Sequence, residues 1–419
     1  MHTHPLLRIS VAALGALLAG AANAQGAAPY KIAFIDPLSG PFAAVGETML
    51  LHTRFAVEDL NAKNALSGGR KFELIQLDSK LSAQESQSAL QSAIDQGARA
   101  VVTGGSGSSV VAAIVQSASR WNQRNPGKEV IVFNHSSIDP ELTGKHCNFW
   151  HFQTEANTAM KMKALANFAR KQPEIQKIYL LNQDYAHGKQ WASYGREMVG
   201  LARPDIQFVG EQLHPIGRIK DFAPYAAQIK RSGADSLISG NWGPDMTLLV
   251  KALGESGQNM RIFNHSAGSM PGTVLAVSQA GTGRLTWVAE WHPGQADTPQ
   301  VDALAKDYKA KTGRELLAPR IEMTPRLLAA AIRKAGDDNP VKVAQALENL
   351  EYDSVVGPVR MRAEDHQLLI RQVVNTIAPV DGKTVKVGWD GVNWGFRTDA
   401  VYSGNELAQG SDCKMVRAK

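Results

Sequence analysis

The sequence contains few of the residues and motifs that carry catalytic or metal chemistry. Only two of the 419 residues are cysteines, Cys147 and Cys413, so a four-cysteine zinc module and a disulfide-rich small fold are excluded. The chain has no phosphate-binding loop and no His-Glu-x-x-His zinc motif. Residues 104–108, Gly-Gly-Ser-Gly-Ser, lack the final glycine of a nucleophile elbow. The sequence therefore predicts neither an enzyme nor a bound cofactor or metal.

Charge of one sign is not concentrated in any part of the chain. The 45 Lys and Arg residues and the 39 Asp and Glu residues give a formal net charge of +6, and the basic residues are scattered. Nucleic-acid-binding surfaces are usually built from clustered basic residues. The sequence therefore predicts no nucleic-acid partner.

Long apolar runs are also absent, except at the N-terminus. Arg8 precedes the apolar residues 9–22, and residues 22–24, Ala-Asn-Ala, have the small side chains of a signal-peptidase site. The run is shorter than a comfortable membrane span, and no cysteine follows it to carry a lipid. We therefore expect residues 1–24 to be a secretory signal peptide and the mature protein, beginning at Gln25, to be periplasmic.

An oxidising compartment would allow the two cysteines to pair. A disulfide between Cys147 and Cys413 would attach the C-terminal tail to the body of the protein. Two unpaired thiols are the alternative.

Short β-rich segments alternate with segments of helical pattern after the N-terminus. This alternation predicts βαβ units and an α/β fold of two modules, each with a parallel sheet. The predicted strands of module one are residues 31–35, 72–77, 100–103 and 130–134, and its helices are residues 48–61, 83–96 and 110–121. The predicted strands of module two are residues 177–182, 207–211, 236–239 and 261–264, and its helices are residues 189–199, 222–231 and 246–255. The last part has predicted helices near residues 327–334 and 341–349 and β-rich runs near residues 368–377 and 384–387.

A repeated tetrapeptide supports two related modules. Phe-Asn-His-Ser occupies residues 133–136 and again residues 263–266, each time at the end of a predicted fourth strand. Ligands of parallel α/β sheets bind beyond the carboxyl ends of the strands, so the loops there contain the candidate ligand-binding residues. These candidates are Ser39, Ser106, Gly107, Ser108, Ser136, Ser137, Tyr185, Trp242, His265 and Ser266.

The loop at residues 105–109 has the clearest chemistry of these candidates. It follows a predicted strand and opens a predicted helix, where serine hydroxyl groups and free N–H groups favour a carboxylate ligand. The alternative is an ordinary strand-to-helix turn in which a serine caps the helix.

Aromatic and histidine side chains in other loops are candidates for the rest of a pocket. Tyr185 and Trp242 lie in loops and can form the apolar walls of a small-molecule site, with packing inside their own module as the alternative. His135, His187 and His265 either bond to nearby backbone or present polar groups to a ligand.

The order of these segments resembles the periplasmic leucine/isoleucine/valine-binding proteins, the type I solute-binding proteins of ABC transporters. The resemblance covers nearly the whole mature chain. It is carried by Lys-Ile-Ala-Phe-Ile-Asp-Pro-Leu-Ser-Gly-Pro at 31–41, the loop at 105–109, Asp-Pro-Glu-Leu-Thr at 139–143, Asp-Tyr-Ala-His-Gly at 184–188, Gly-Asn-Trp-Gly-Pro-Asp at 240–245 and Val-Gly-Pro at 356–358.

The resemblance implies two Rossmann-like lobes joined by three crossovers, with a ligand cleft between them. It also implies that the loop with Ser106 and Ser108 holds a ligand carboxylate and that Tyr185 lines the cleft. The implied division assigns residues 28–153 and 292–356 to lobe 1, residues 154–291 and 357–409 to lobe 2, and residues 410–419 to a C-terminal tail.

Three positions depart from the family pattern. Ile138 replaces the threonine that binds the head group of an amino acid, and the acidic residue that holds the α-ammonium falls at or near Ser266. Trp242 replaces a tyrosine. A buried ammonium without an anionic partner is costly, so an aromatic or other carboxylate without an ammonium is favoured over leucine, unless Asp184 or Asp245 supplies the charge.

The sequence thus predicts the periplasmic substrate-binding component of a branched-chain-amino-acid-type ABC transporter. It would capture an amino acid or a related small carboxylate and deliver it to permease subunits in the inner membrane. The alternative is a ligand-sensing protein of the same fold that signals to a membrane receptor.

Overall fold

The computed structural model describes residues 28–281, 284–295 and 297–418. The predicted signal peptide, residues 1–24, lies outside the described residues. The chain forms two α/β lobes, each built on its own sheet, and the predicted fold class is confirmed.

The sheet of lobe 1 is entirely parallel. Its strands are β1 (Tyr30–Asp36), β2 (Phe72–Asp78), β3 (Ala100–Thr103), β4 (Ile131–Asn134) and β5 (His151–Gln153). They lie in the order β2-β1-β3-β4-β5. Every residue of β3, β4 and β5 is buried, because helices cover both faces of a parallel sheet. β3 and β4 are accordingly mainly apolar in the sequence, whereas β5 reads His-Phe-Gln.

The sheet of lobe 2 is mainly parallel, with an antiparallel pair at one edge. Its strands are β6 (Lys177–Gln183), β7 (Gln207–His214), β8 (Ser236–Ile238), β9 (Arg261–Asn264), β10 (Leu285–Ala289), β14 (Gln372–Pro379) and β15 (Trp394–Tyr402). They lie in the order β15-β14-β10-β9-β8-β6-β7. A small antiparallel sheet contains β11 (Glu351–Ser354), β12 (Gly357–Met361) and β13 (Leu368–Leu369).

Helices pack against the sheets. In the first part of the chain they are α1 (Ala43–Ala62), α2 (Ala83–Asp95), α3 (Ser108–Arg124), α4 (Thr158–Ala169) and α5 (Ala186–Tyr194), the last continued by a π-helical turn (Gly195–Val199). The others are α6 (Gly200–Ala202), α7 (Ala223–Ser232), α8 (Pro244–Glu255), α9 (Thr273–Ala280), α10 (Pro299–Thr312), α11 (Pro319–Ala335), α12 (Pro340–Leu347) and α13 (Gly404–Leu407).

The chain passes between the lobes three times: after β5, after β10 and at the small sheet of β11–β13. After the second passage, α11 returns to pack on α1 of lobe 1. An ion pair between Arg326 of α11 and Asp59 of α1, at 2.7 Å, strengthens this contact. The final strands β14 and β15 then complete the sheet of lobe 2.

One predicted β-rich run, residues 384–387, is wrong, since these residues form the loop between β14 and β15. The carboxylate of Asp381 accepts hydrogen bonds from the N–H groups of Lys383, Thr384 and Val385 at 2.8–2.9 Å. Backbone donors that bond to a nearby side chain in this way are lost to a strand ladder.

The predicted disulfide between Cys147 and Cys413 is confirmed, with Sγ atoms 2.05 Å apart. It attaches the C-terminal tail to the loop between β4 and β5. An ion pair of 2.6 Å between Arg417 and Glu348 holds the tail at a second point. Within the described ranges, no helix combines the length and the apolar character needed to cross a membrane.

Candidate binding site between the lobes

A cavity lies between the two lobes, beyond the carboxyl ends of strands from both sheets. The space between protein atoms there, including the part that is open to solvent, is about 420 Å³. Both lobes contribute to its walls. The lining residues are Met49, Gly104, Gly105, Gly107, Ser108, Ser136, Ser137, Ile138, Glu155, Tyr185, His187, Trp242, His265, Ser266, Met270 and Arg320.

Two of the backbone hydrogen-bond donors in the loop after β3 are already bonded to a carboxylate of the protein itself. Oδ1 of Asp36, at the end of β1, accepts hydrogen bonds from the N–H groups of Gly104 at 3.0 Å and Gly105 at 2.8 Å. These two donors are therefore not available to a ligand. The donors that remain are at the N-terminus of α3, because the first N–H groups of a helix have no partner within it. Gly107 precedes this helix with a φ of +83°, and Ser108 begins it.

The repeated Phe-Asn-His-Ser segments deliver serines from opposite lobes. Oδ1 of Asn134 accepts a hydrogen bond from the N–H of Ser137 at 2.9 Å, and Oδ1 of Asn264 accepts one from the N–H of Ser266 at 2.8 Å. Each asparagine thus turns the chain sharply after its strand and directs the following serines to the cavity. Oγ of Ser137 and Oγ of Ser266 have no hydrogen-bond partner among the described residues.

Arg320 lies at the start of α11, is 2% exposed and lines the cavity. Its Nε donates to the carbonyl oxygen of His135 at 2.9 Å, its Nη1 is paired with Glu290 at 3.0 Å, and its Nη2 lies 3.3 Å from Oγ of Ser136. Nη2 carries two N–H groups, and Ser136 is its one hydrogen-bond acceptor in the part of the chain that the structure describes. One N–H of this permanently charged group therefore remains for a ligand.

Buried charges at the base of the cavity are balanced by one another. Glu155 contacts Nε of Arg320 and lies 3.2 Å from Nζ of Lys161, which also donates to the carbonyl oxygen of His265 at 3.0 Å. Burial raises the pKa of Glu155, while Arg320 and Lys161 oppose that rise. Glu290 also pairs with Arg320, so the two carboxylates of Glu155 and Glu290 balance the two cations of Arg320 and Lys161. The carboxylate that lines the cavity is therefore already paired.

Tyr185 and Trp242 form the aromatic wall in lobe 2. Nε1 of Trp242 donates a hydrogen bond to Oη of Tyr185 at 2.8 Å, so each ring fixes the other. Both rings face lobe 1 at Gly107, where a β-carbon would lie 3.4 Å from Cε2 of Tyr185. Burial raises the pKa of Tyr185, so its hydroxyl remains protonated.

His187 and His265 stand next to this wall with ring centroids 4.5 Å apart. Nε2 of each ring lies within hydrogen-bonding distance of the carbonyl oxygen of Gly240, at 3.3 Å for His187 and 3.2 Å for His265. Burial lowers the pKa of His187 to about 4. Burial and the neighbouring His187 and Lys161 lower the pKa of His265 well below its usual value. Both rings are therefore neutral near pH 7.

The lobes contact each other across the mouth of the cleft. The ring of Phe42 in lobe 1 lies 4.4 Å, centroid to centroid, from the ring of Trp242 in lobe 2. β-Carbons at Gly217 and Gly243 would each lie 2.8 Å from the Phe42 ring, so these glycines leave the space that it fills. Nε2 of Gln190 donates to Oδ1 of Asp139 at 2.6 Å across the same gap. The cleft is closed.

The structure brings eight of the ten sequence-predicted candidates to the cavity. Ser39 is exposed and does not line the cavity, and the carboxylate of Asp78 accepts the N–H of its neighbour Leu38 at 2.8 Å. Ser106 points into lobe 1, with its Oγ 2.6 Å from Oγ of Ser79. The candidates that line the cavity are Gly107, Ser108, Ser136, Ser137, Tyr185, Trp242, His265 and Ser266.

Several lining residues carry no clear signal in the sequence. Met49 and Met270 look like ordinary core residues, and Glu155 lies next to the predicted first crossover, where nothing in the sequence marks it as a cavity residue. Arg320 follows Pro319, which marks a helix start, but nothing in the sequence pairs it with residues more than 150 positions earlier. Three others do carry a signal: His187 is one of three histidines in the candidate loops, Gly105 belongs to the loop at residues 105–109, and Ile138 departs from the family pattern.

Neither Asp184 nor Asp245 supplies the anionic partner that an amino-acid ligand would need. Asp184 lies at the surface, paired with Lys189 at 3.0 Å. Asp245 is buried away from the cavity lining, where it accepts hydrogen bonds from Nε2 of Gln183 at 2.7 Å and the N–H of Gly217 at 2.9 Å. In the described ranges, no group of three His, Cys, Asp or Glu side chains is placed to hold a metal ion.

Comparison with known proteins gives consistent matches over most of the chain. The family described as "Periplasmic binding protein" matches residues 29–376. The Leu/Ile/Val-binding protein homolog 4 of Brucella abortus (strain 2308) is 30% identical over 423 residues, which cover 98% of each chain.

Solved structures share the fold. The leucine-, isoleucine-, valine-, threonine- and alanine-binding protein of Brucella ovis, in a closed conformation, matches with a TM-score of 0.81 and 27% identity, covering 93% of this chain and 100% of that chain. An ABC transporter solute-binding protein from Rhodopseudomonas palustris BisB5, in complex with 3,4-dihydroxybenzoic acid, matches with a TM-score of 0.75 and 16% identity, covering 90% and 98%.

Proposed function

The chain belongs to the periplasmic binding protein family, in the type I group of the Leu/Ile/Val-binding proteins, and from this premise we propose that it captures a small carboxylate for an ABC transporter. The family consists of binding proteins, so the prediction that the chain is not an enzyme is confirmed. The identity of the ligand and the role in transport are the content of the proposal.

One observation carries the proposal: a closed cavity has hydrogen-bond donors on the lobe 1 side and aromatic rings on the lobe 2 side. The spare N–H of Arg320 and the N-terminus of α3 suit the two acceptor oxygens of a carboxylate. Tyr185 and Trp242, with Met49 and Met270, suit a flat apolar body.

The balance of charge favours a carboxylate without an ammonium group. An ammonium in this cavity would need an anionic partner, and Glu155 already faces Arg320 and Lys161. The relatives point to both ligand classes by name, branched-chain amino acids and an aromatic acid. We therefore propose an aromatic or other carboxylate without an amino group as the first candidate ligand class, and an amino acid as the second.

The residue assignments belong to the proposal as well. We propose lobe 1 as residues 28–153 and 292–356, lobe 2 as residues 154–291 and 357–409, and residues 410–419 as the tail. Residues 1–24 would export the chain to the periplasm, where permease subunits would receive the ligand. The candidates that line the cavity, with Arg320, Glu155 and His187, would form the ligand site.

Titration calorimetry on the mature chain, refolded from denaturant to remove bound solute, tests the ligand class. Benzoate or 4-methylpentanoate should bind at least about tenfold more tightly than L-leucine, a difference of about 1.4 kcal/mol. Sub-micromolar leucine binding with no heat from either acid would contradict the proposal and favour the amino acid.

A ligand-sensing protein of the same fold remains the second candidate function, because sensing and transport can use the same closure. Uptake of radiolabelled ligand by cells with and without the gene separates the two. Undiminished uptake in the deletion strain would favour sensing.

A further inference from the structure

His187 offers an unused hydrogen-bond acceptor at the lobe 2 side of the cavity. Its side chain lines the cavity and the residue is 2% exposed. Nδ1 of the ring is buried and has no hydrogen-bond partner within the described residues. A buried polar atom without a partner is costly and requires an explanation.

The protonation state of this nitrogen follows from its neighbour. Nε2 of His187 lies 3.3 Å from the carbonyl oxygen of Gly240. A carbonyl oxygen can only accept, so Nε2 must carry the hydrogen. The ring is neutral because burial lowers its pKa to about 4. Nδ1 therefore presents a lone pair, and the group that satisfies it must be a donor.

Tyr185 places a donor two residues earlier in the chain. Its hydroxyl oxygen accepts the hydrogen bond from Nε1 of Trp242 at 2.8 Å. The hydroxyl hydrogen of Tyr185 is bonded to none of the described residues, and Tyr185 lines the same cavity. The ring centroids of Tyr185 and His187 are 5.7 Å apart. An acceptor and a donor thus stand side by side on this wall.

We propose that this wall recognises a neutral ligand group that both donates and accepts hydrogen bonds, a hydroxyl or a carboxamide, with His187 Nδ1 as acceptor and Tyr185 Oη as donor. The inference rests on the proposed function, because the carboxylate on the lobe 1 side orients the ligand. A positively charged donor is disfavoured, since the neutral imidazole of His187 provides no negative charge and Lys161 lies close to His265.

Matched ligand pairs that differ by one hydroxyl group test the inference. The probes are benzoate with 3- and 4-hydroxybenzoate, and 4-methylpentanoate with 2-hydroxy-4-methylpentanoate. Calorimetry on the wild-type chain should show at least one hydroxylated acid binding about tenfold or more tightly than its parent, because a site built to bond a hydroxyl group rejects the analogue without it.

Variants of His187 test whether its Nδ1 is the acceptor that causes the preference for hydroxylated acids. His187→Leu should reduce the hydroxyl preference to less than about threefold, and His187→Asn, which keeps an acceptor oxygen, should retain part of it. His292→Asn is the matched control. His292 is a buried neutral histidine with its Nε2 2.7 Å from Oγ1 of Thr398, away from the cavity, so that variant should keep the full preference.

The outcomes separate this inference from the function on which it rests. Acids that bind equally with and without the hydroxyl group, or a preference that survives in His187→Leu, would overturn the role of His187 and leave carboxylate binding intact. No binding of any acid by the wild type would overturn the proposed ligand class, and the inference would fall with it.

Discussion

Trp242 couples ligand binding to lobe closure, because it has one contact within its own lobe and one across the cleft. It bonds to Tyr185 and packs on Phe42 of the opposite lobe. Trp242→Ala should weaken binding of the true ligand by about 1–3 kcal/mol, from lost aromatic burial. The control is Trp394→Ala, since Trp394 is half-buried on β15, outside the cavity. Equal affinities of Trp242→Ala and wild type by calorimetry would limit Trp242 to a packing role.

Buried histidines make the stability of the fold depend on pH. Burial lowers the pKa of His52, His187 and His292 to about 4 each and that of His151 to about 3, from 6.5. The unfolded chain therefore takes up protons first as the pH falls below 6.5, and each histidine can cost up to about 2 kcal/mol of stability between pH 6.5 and 5. Glu155, whose pKa burial raises, opposes this trend.

Thermal unfolding monitored by circular dichroism should consequently give a lower Tm at pH 5 than at pH 7.5. His292→Asn should show a smaller drop, because one of the contributing groups is gone. An equal or higher Tm at pH 5 would mean that the buried carboxyl groups outweigh the histidines.

At the residue scale, the sequence predicts the cavity residues that come directly after strands, and it does not predict those that lie on other elements. Ser108, Tyr185 and Trp242 are predictable because strand ends of a parallel sheet meet at one edge. Arg320 lies on α11, which packs on lobe 1 although it comes late in the chain. The local sequence pattern around Arg320 does not show with which lobe this helix packs. The role of Asp36 is missed for a related reason: its carboxylate accepts the N–H of Gly105, in the loop expected to face a ligand, and that of Gly104 just before it.

At the scale of elements, the central strands are predictable because burial on both faces makes them continuous apolar runs. The predicted bounds of β3 and β9 agree with the structure to the residue. α10 is not predicted, since most of its residues are exposed and its apolar pattern is weak. The loop at residues 384–387 contains β-branched residues, yet Asp381 withdraws its backbone donors from strand pairing.

The turn after β7 is expected to control closure through Gly217. Its φ is +66°, and a β-carbon there would lie 2.8 Å from Cε2 of Phe42 in the other lobe. Gly217→Ala should weaken ligand binding by about 1–3 kcal/mol, as overpacking does in a closed core. Gly233→Ala is the matched control: Gly233 has a φ of +70° and open space around its β-carbon position, so it adds the same backbone strain without the contact. Calorimetry that finds equal affinity for the two variants would exclude this role for Phe42 and Gly217.

At the scale of the whole molecule, two lobes share one cleft, while the disulfide joins parts of the chain far from it. Cys147 and Cys413 are 266 residues apart in sequence. In the chain-entropy model, a cross-link that closes so long a loop stabilises the fold by about 5–6 kcal/mol at most. The tail is also held by the pair of Arg417 with Glu348, so part of its order should survive reduction.

The double variant Cys147→Ser/Cys413→Ser should therefore lose stability without losing the site. We expect its Tm to fall by several degrees, because the unfolded chain regains the freedom that the cross-link removed. Ligand affinity at 25 °C should stay within about twofold of wild type, since neither cysteine lines the cavity. Arg417→Ala, with the disulfide intact, is the control and should lower the Tm much less, as an exposed ion pair contributes under about 1 kcal/mol. A large loss of affinity in the double variant would show instead that the tail takes part in closure, coupling the outer end of lobe 1 to the cleft.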